Sequence, residues 1–382
     1  MKKYLMSFAV LMMGAALLTA CSSDDDKDTP HYVPFDISNG FFLVGSGNTR
    51  AGIDGNLSYI DYSSGTVKPD AFKAANGKSL GKTANYVAIY GSKLYIVVDQ
   101  EATIWVCDKN TLKVQNQIST TKLLGEGDGA SPRALVGYDG KVYFTCYGDS
   151  YNGGVGNVTA LDTLNFQIQA GYKVGSYPDG LTIADGKIFV ANSDYGNGVK
   201  PSISKIDLSA PAVTTITDPV ITNPMQIMTV GSDVYYLDYG TYDENWNQTG
   251  AGVRKITQSG QVSKVVDGTA MCSDGSKIYT VNAPFGGSGI NYLIYDIASG
   301  KTTSWNPDKV FSPAMIAADP NNGDIFIVSY AEDPDTGYPS YKLPSYTNQY
   351  NSAGQFVRTY QNTATGPISI AFNTEVRYVI NQ

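Results

Sequence analysis

Apolar and polar positions along this chain recur as one phrase: a short apolar strand, a Gly-containing turn, then a second strand carrying Tyr or Phe. The phrase occurs at 84–90 with 93–98, 133–138 with 141–145, 180–184 with 187–191 and 225–230 with 233–237. It returns at 270–273 with 277–281, 314–319 with 324–328, and 368–372 with 376–380. Its aromatics, Tyr95, Tyr143, Phe189, Tyr235, Tyr279, Phe326 and Tyr378, are separated by 48, 46, 46, 44, 47 and 52 residues. Helical repeats of similar length exist, so the period does not decide by itself. The alternation in Lys93-Leu94-Tyr95-Ile96-Val97-Val98 does decide, because a period of two is that of a strand.

Third strands are predicted at 57–61, 103–108, 157–162, 202–207, 253–257 and 291–296, most of them ending in Asp. Asp108, Asp162 and Asp296 precede small or polar turn residues and are expected to cap the turn into a fourth strand. The expected fold is therefore all-β, a seven-bladed β-propeller of four-stranded antiparallel blades. The first repeat is incomplete: 41–44, 57–61 and 67–72 lack an innermost strand, which 368–372 supplies. Strands from the two ends thus share one blade and close the ring, removing exposed sheet edges. One strand is surplus, since 41–44 and 376–380 both suit the second position.

Antiparallel blades place all connections between second and third strands on one rim. Those at 46–55, 147–156, 193–201, 238–252, 283–289 and 330–351 are long, whereas the first turns are tight. They carry Tyr147, Tyr151, Tyr195, Tyr239, Tyr242, Trp246, Phe285, Tyr330, Tyr338, Tyr341 and Tyr346 among Asn, Asp, Gly and Ser. Aromatics with a polar handle give large contact area at small entropic cost, and long loops on a rigid scaffold are where function concentrates. The first nine of these residues are the candidate ligand-binding set.

Composition agrees with a turn-rich β-protein: 28 Tyr, 40 Gly and 16% charged residues among 382. No helical periodicity of useful length follows residue 20. Residues 1–20 read as a signal segment, with Lys2 and Lys3 ahead of an apolar stretch and Leu18-Thr19-Ala20-Cys21 at its end. The domain organisation expected is a signal peptide at 1–20, an acidic tether at 21–38 and the propeller at 39–382. Cys107, Cys146 and Cys272 remain, an odd set expected as buried thiols inside strands.

The formal charge of −8 becomes −10 when Lys2 and Lys3 leave with the signal, which disfavours nucleic acid. The single histidine, His31, lies before the first repeat, so no Ser-His-Asp triad or His-ligated metal is available to the blades. Asp238, Asp243 and Glu244, and Glu332, Asp333 and Asp335, are of a kind that holds Ca²⁺ or forms an acid/base pair. Neither set has a complete calcium-loop pattern, and solvated loop charge is the expected reading. No catalytic residue, resident metal or cofactor is assigned.

Leu18-Thr19-Ala20-Cys21 resembles a lipobox, and the run Ser22-Ser23-Asp24-Asp25-Asp26-Lys27-Asp28 resembles an acidic export signal. With Asn39-Gly40-Phe41-Phe42-Leu43-Val44, Gly186-Lys187-Ile188-Phe189-Val190-Ala191-Asn192 and Ile203-Ser204-Lys205-Ile206-Asp207, the chain resembles the YncE-like seven-bladed propeller lipoproteins of Bacteroidetes over 39–382. That resemblance implies lipidation at Cys21 and exposure on the outer membrane. The family includes proteins that capture corrinoids such as cobalamin and pass them to a TonB-dependent transporter. A non-catalytic capture role is therefore expected. The alternatives are a histidine-independent hydrolase or lyase, and a glycan- or protein-binding scaffold.

Overall fold

The computed structural model describes residues 31–193, 200–287 and 289–381. The chain divides into two compact units, Asp36–Glu375, and Met1–Phe35 with Val376–Gln382. Among the described residues there are seven four-stranded sheets and one two-stranded sheet, and each pairing with a described register is antiparallel. Six of the large sheets are built from consecutive strands, as in Ala84–Tyr90, Lys93–Val98, Thr103–Asp108 and Val114–Ser119. The seventh runs Val67–Lys68, Asn56–Asp61, His31–Gly45 and Pro367–Asn381, so strands from both ends of the chain share it.

The period-two alternation decides which neighbour each strand packs against. In Lys93–Val98, Leu94, Ile96 and Val98 join a core with Phe42, Val44 and Leu57, while Tyr95 and Val97 join another with Leu135 and Phe144. Cores of this kind lie between each large sheet and the next. One more joins Phe41, Leu43 and Ile60 to Phe326, Val328 and Tyr360 of the last consecutive sheet. Asp319, fully buried, adds a polar latch to that contact by accepting from Ser38 Oγ at 2.6 Å and Tyr62 Oη at 2.9 Å.

Two expected strands are corrected. The stretch 376–380 is not a second strand after a turn, because Pro367–Asn381 runs on without interruption. The other first turns contain a residue at positive φ, such as Gly91, Gly140, Gly186, Gly231, Gly275 or Gly323, and 373–375 contains none. His31–Gly45 consequently takes the second position. Of 67–72, only Val67–Lys68 is strand; Pro69 withholds an N–H, Asp70 turns at φ 46°, and Ala71–Asn76 is a helix that buries Phe72 against Trp105. The first strand begins at His31, inside the stretch expected as tether.

The Asp-capped turns form as expected. Asp108 accepts from the backbone N–H of Asn110 and Thr111, Asp162 from Leu164 and Asn165, and Asp296 from Ser299. Cys107, Cys146 and Cys272 are unpaired and buried, and burial pushes each thiol above its ordinary range.

Candidate functional site

The innermost strands of four sheets open alike. Ala84, Pro132, Pro178 and Pro224 pair with the end of their second strands, at Val98, Cys146, Asn192 and Asp238. The register then shifts, and the bulge leaves Asn85, Arg133, Asp179 and Met225 outside the ladder. A bulge re-aims its side chains, and all four residues line a cavity of about 400 Å³ bordered by the innermost strand of every large sheet. Gly180 permits the close approach of two such strands: a Cβ there would stand 2.6 Å from the Met225 carbonyl oxygen. This end of the cavity is the rim of the long loops, because the innermost strands start where the second strands end.

Arg133 is the centre of that end. Its Nη1 lies 2.7 Å from Asp99 Oδ2 and its Nε 3.3 Å from Asp179 Oδ1, with the three side chains only 11–13% exposed. Tyr147 Oη donates to Asp179 Oδ2 at 2.8 Å, and the guanidinium sits 4.7 Å from the Tyr147 ring centre. Asn85 Nδ2 donates to the Arg133 carbonyl at 2.8 Å. Burial works against the charged guanidinium, but Asp179, the facing Tyr147 and Asp99 outweigh it and hold the Arg133 pKa above its usual value. One cation against two carboxylates leaves the cluster with surplus negative charge. Nothing in the apolar and polar pattern singled out Arg133, Asp99 or Asp179. The available signal was a charged residue directly after Pro at equivalent points of two repeats, Pro132-Arg133 and Pro178-Asp179.

The predicted rim residues divide into groups. Tyr147 is fully buried and serves the Arg133 cluster. It meets Tyr151 and Tyr177 edge-to-face at 5.8 and 5.3 Å, leaving Tyr151 exposed. Tyr239 lines the cavity; burial first, then the negative charge of Asp179, pushes its phenol up to about 12. The hairpin Thr241–Tyr242 with Gln248–Thr249 carries Tyr242 and Trp246, whose rings are 6.2 Å apart. Gln248 ties this hairpin to the next sheet's loop: its N–H donates to the Phe285 carbonyl at 2.8 Å, and its Oε1 accepts from the Phe285 N–H at 3.1 Å. The Phe285 ring stays 63% exposed and Trp246 68% exposed. Tyr330 packs on Tyr341 at 4.9 Å, and Tyr338 stands 74% exposed. Tyr195 and Cys21 lie outside the described residues.

Three of the carboxylates named from sequence, Asp238, Asp243 and Asp333, are used locally. Asp238 is fully buried, accepts from Thr222, Asn223 and Gly240, and lies 3.7 Å from Arg254. Asp243 accepts from the N–H groups of Asn245 and Asn247, and Asp333 from those of Asp335 and Thr336. Among the described residues no three His, Cys, Asp or Glu side chains are grouped to hold a metal ion, and no helix is long and apolar enough to cross a membrane.

Fold and site together define a propeller-like, all-β protein with a polar cavity mouth beneath an aromatic loop rim. The chain belongs to the family described as Domain of unknown function (DUF5074), whose model matches residues 39–282. No curated protein matches the sequence. Among solved structures it is similar to a protein of Bacteroides uniformis ATCC 8492 provisionally named as a 6-phosphogluconolactonase, at 12% identity and TM-score 0.58, covering 90% of this chain and 100% of that one. A protein of Bacteroides fragilis NCTC 9343 with the same provisional name gives 12%, 0.56, 90% and 98%. Hydrazine synthase of Kuenenia stuttgartiensis gives 14%, 0.55, 78% and 95%. Likeness at these identities speaks for the fold alone.

Proposed function

We propose that the seven large sheets are the blades of a closed seven-bladed propeller, and that its long-loop rim captures a small molecule without transforming it. The ring is supported by the core joining Phe41 and Leu43 to Phe326 and Val328. The observation that carries the capture reading is a group of exposed aromatics on one rim: Tyr242 and Trp246, 6.2 Å apart on one hairpin, and Phe285 in the loop that Gln248 ties to it. Monomeric proteins rarely leave such side chains grouped in water without a partner. The cavity of about 400 Å³ is too small for a whole corrinoid, so a ligand of that size would lie across the loops.

Within this reading the ligand is a cobalamin-type corrinoid, held by stacking and amide hydrogen bonds and delivered to a TonB-dependent outer-membrane transporter. The chain would sit at the cell surface on a lipid attached to Cys21. This part is supported by the resemblance and by the lipobox sequence. Calorimetry of the full chain with cyanocobalamin tests it, with Trp246→Ser and Phe285→Ser expected to weaken binding about tenfold each. Absence of heat with cyanocobalamin removes the corrinoid; chemical turnover of any bound compound removes the non-catalytic role.

A further inference from the structure

Every methionine beyond Met13 lines the same cavity: Met225, Met228, Met271 and Met315. They come from three consecutive innermost strands, Pro224–Val230, Ala270–Ser273 and Ser312–Ala318, and Cys272 lies beside them. Three other innermost strands supply Asn85, Arg133 and Asp179. Met228 and Met271 also pack into one core between sheets and Met315 into another, so the cavity has a methionine side that borders those cores and a polar side from the other strands.

The two walls select for different ends of one molecule. Thioether side chains are unbranched and polarisable; they adapt to irregular shapes and make favourable contacts with aromatic ring edges. On the polar wall Arg133 is engaged by Asp99 and Asp179, and Asp179 in turn by Arg133 and Tyr147, so neither group is free; what remains is the cluster's formal excess of one carboxylate, which repels an anion. The surplus carboxylate charge instead suits a cation or a strong hydrogen-bond donor. A volume of about 400 Å³ lies in the range of small organic ligands.

We propose that this cavity is a binding site for a small aromatic cation, with its ring against the methionine wall and its ammonium directed to Asp179. The site is separate from the exposed aromatics of the rim, and it stands whether or not a corrinoid binds there.

Methyl-¹³C-methionine labelling of the full chain reports on the cavity directly, since Met→Leu substitutions at 225, 228, 271 and 315 assign its four signals. Tryptamine is the probe, and indole-3-propionate, with the same ring and opposite charge, is its control. Tryptamine should shift the cavity signals saturably below about 1 mM, with indole-3-propionate at least about tenfold weaker. Asp179→Asn should weaken tryptamine about tenfold as well. This comparison of two compounds on the unsubstituted chain needs no variant, so a misfolded Asp179→Asn would not blunt it. The proposal is overturned if tryptamine leaves the four signals unmoved, or if the anion binds equally well. It is also overturned if one equivalent of Ag⁺ moves all four while tryptamine moves none, since the wall would then be a soft-metal site.

Discussion

Replacing Arg133 by Ala is the sharpest test of how the cavity mouth is held together. The guanidinium bridges two carboxylates from neighbouring sheets, 2.7 Å from Asp99 and 3.3 Å from Asp179, and covers the Tyr147 ring at 4.7 Å. All three charged side chains are nearly buried, so water cannot take over the role of the lost partner. Breaking a buried pair by removing one member costs about 3–5 kcal/mol, because charge is left behind without compensation. Arg133→Lys keeps the charge but not the fork that reaches both carboxylates, and should cost less than Arg133→Ala but remain measurably destabilising. Combining Arg133→Met with Asp99→Asn and Asp179→Asn removes the stranded charges and should recover most of the loss. Urea unfolding followed by tyrosine fluorescence measures all three. A loss below about 1 kcal/mol for Arg133→Ala would refute the reasoning, since the cluster would then be hydrated and not a buried bridge.

Asp319→Ala should strand the Tyr62 hydroxyl and Ser38 at the contact between the first and last sheets, costing about 2–4 kcal/mol. Limited proteolysis should then cut preferentially near the chain's ends, and a cleavage pattern unchanged from the parent would count against the latch. Acid stability should depend on the turn carboxylates. Backbone N–H donors hold Asp108 and Asp162, and the Ser299 hydroxyl and N–H hold Asp296, below the usual carboxylate range. A folded pKa below the unfolded one adds stability that is present above about pH 4 and is lost as pH falls through the lowered values. Asp162→Asn should therefore flatten the fall of stability with acid below about pH 4, and an unchanged slope in pH-dependent urea midpoints would contradict it.

Much of the architecture was written in local pattern. Period-two alternation in Lys93–Val98 distributes alternate residues to two different cores. The Asp that ends most third strands caps the turn that its neighbours make available. The incomplete first repeat and the apolar stretch 368–372 together foretold a sheet made from both ends. Each of these rests on interactions a few residues apart, or on a repeat that states its own missing part. The stretch 373–375 was legible too, in its lack of glycine, but the repeat pattern overrode that signal.

What the amino-acid sequence by itself determined is the all-β repeat, its turns and the rim on which long aromatic loops emerge. Only the tertiary structure decided which of those aromatics are available. Tyr147 and Trp246 sit in similar loop contexts, yet one is buried under a guanidinium and the other stands in water. Only the tertiary structure likewise joined Asp99, Arg133 and Asp179, and gathered Met225, Met228, Met271 and Met315 around one cavity. The physical reason is distance along the chain. Equivalent positions of successive repeats lie tens of residues apart, and they meet only when the sheets pack face against face. A bulge then turns outward side chains that a regular ladder would have assigned to the core.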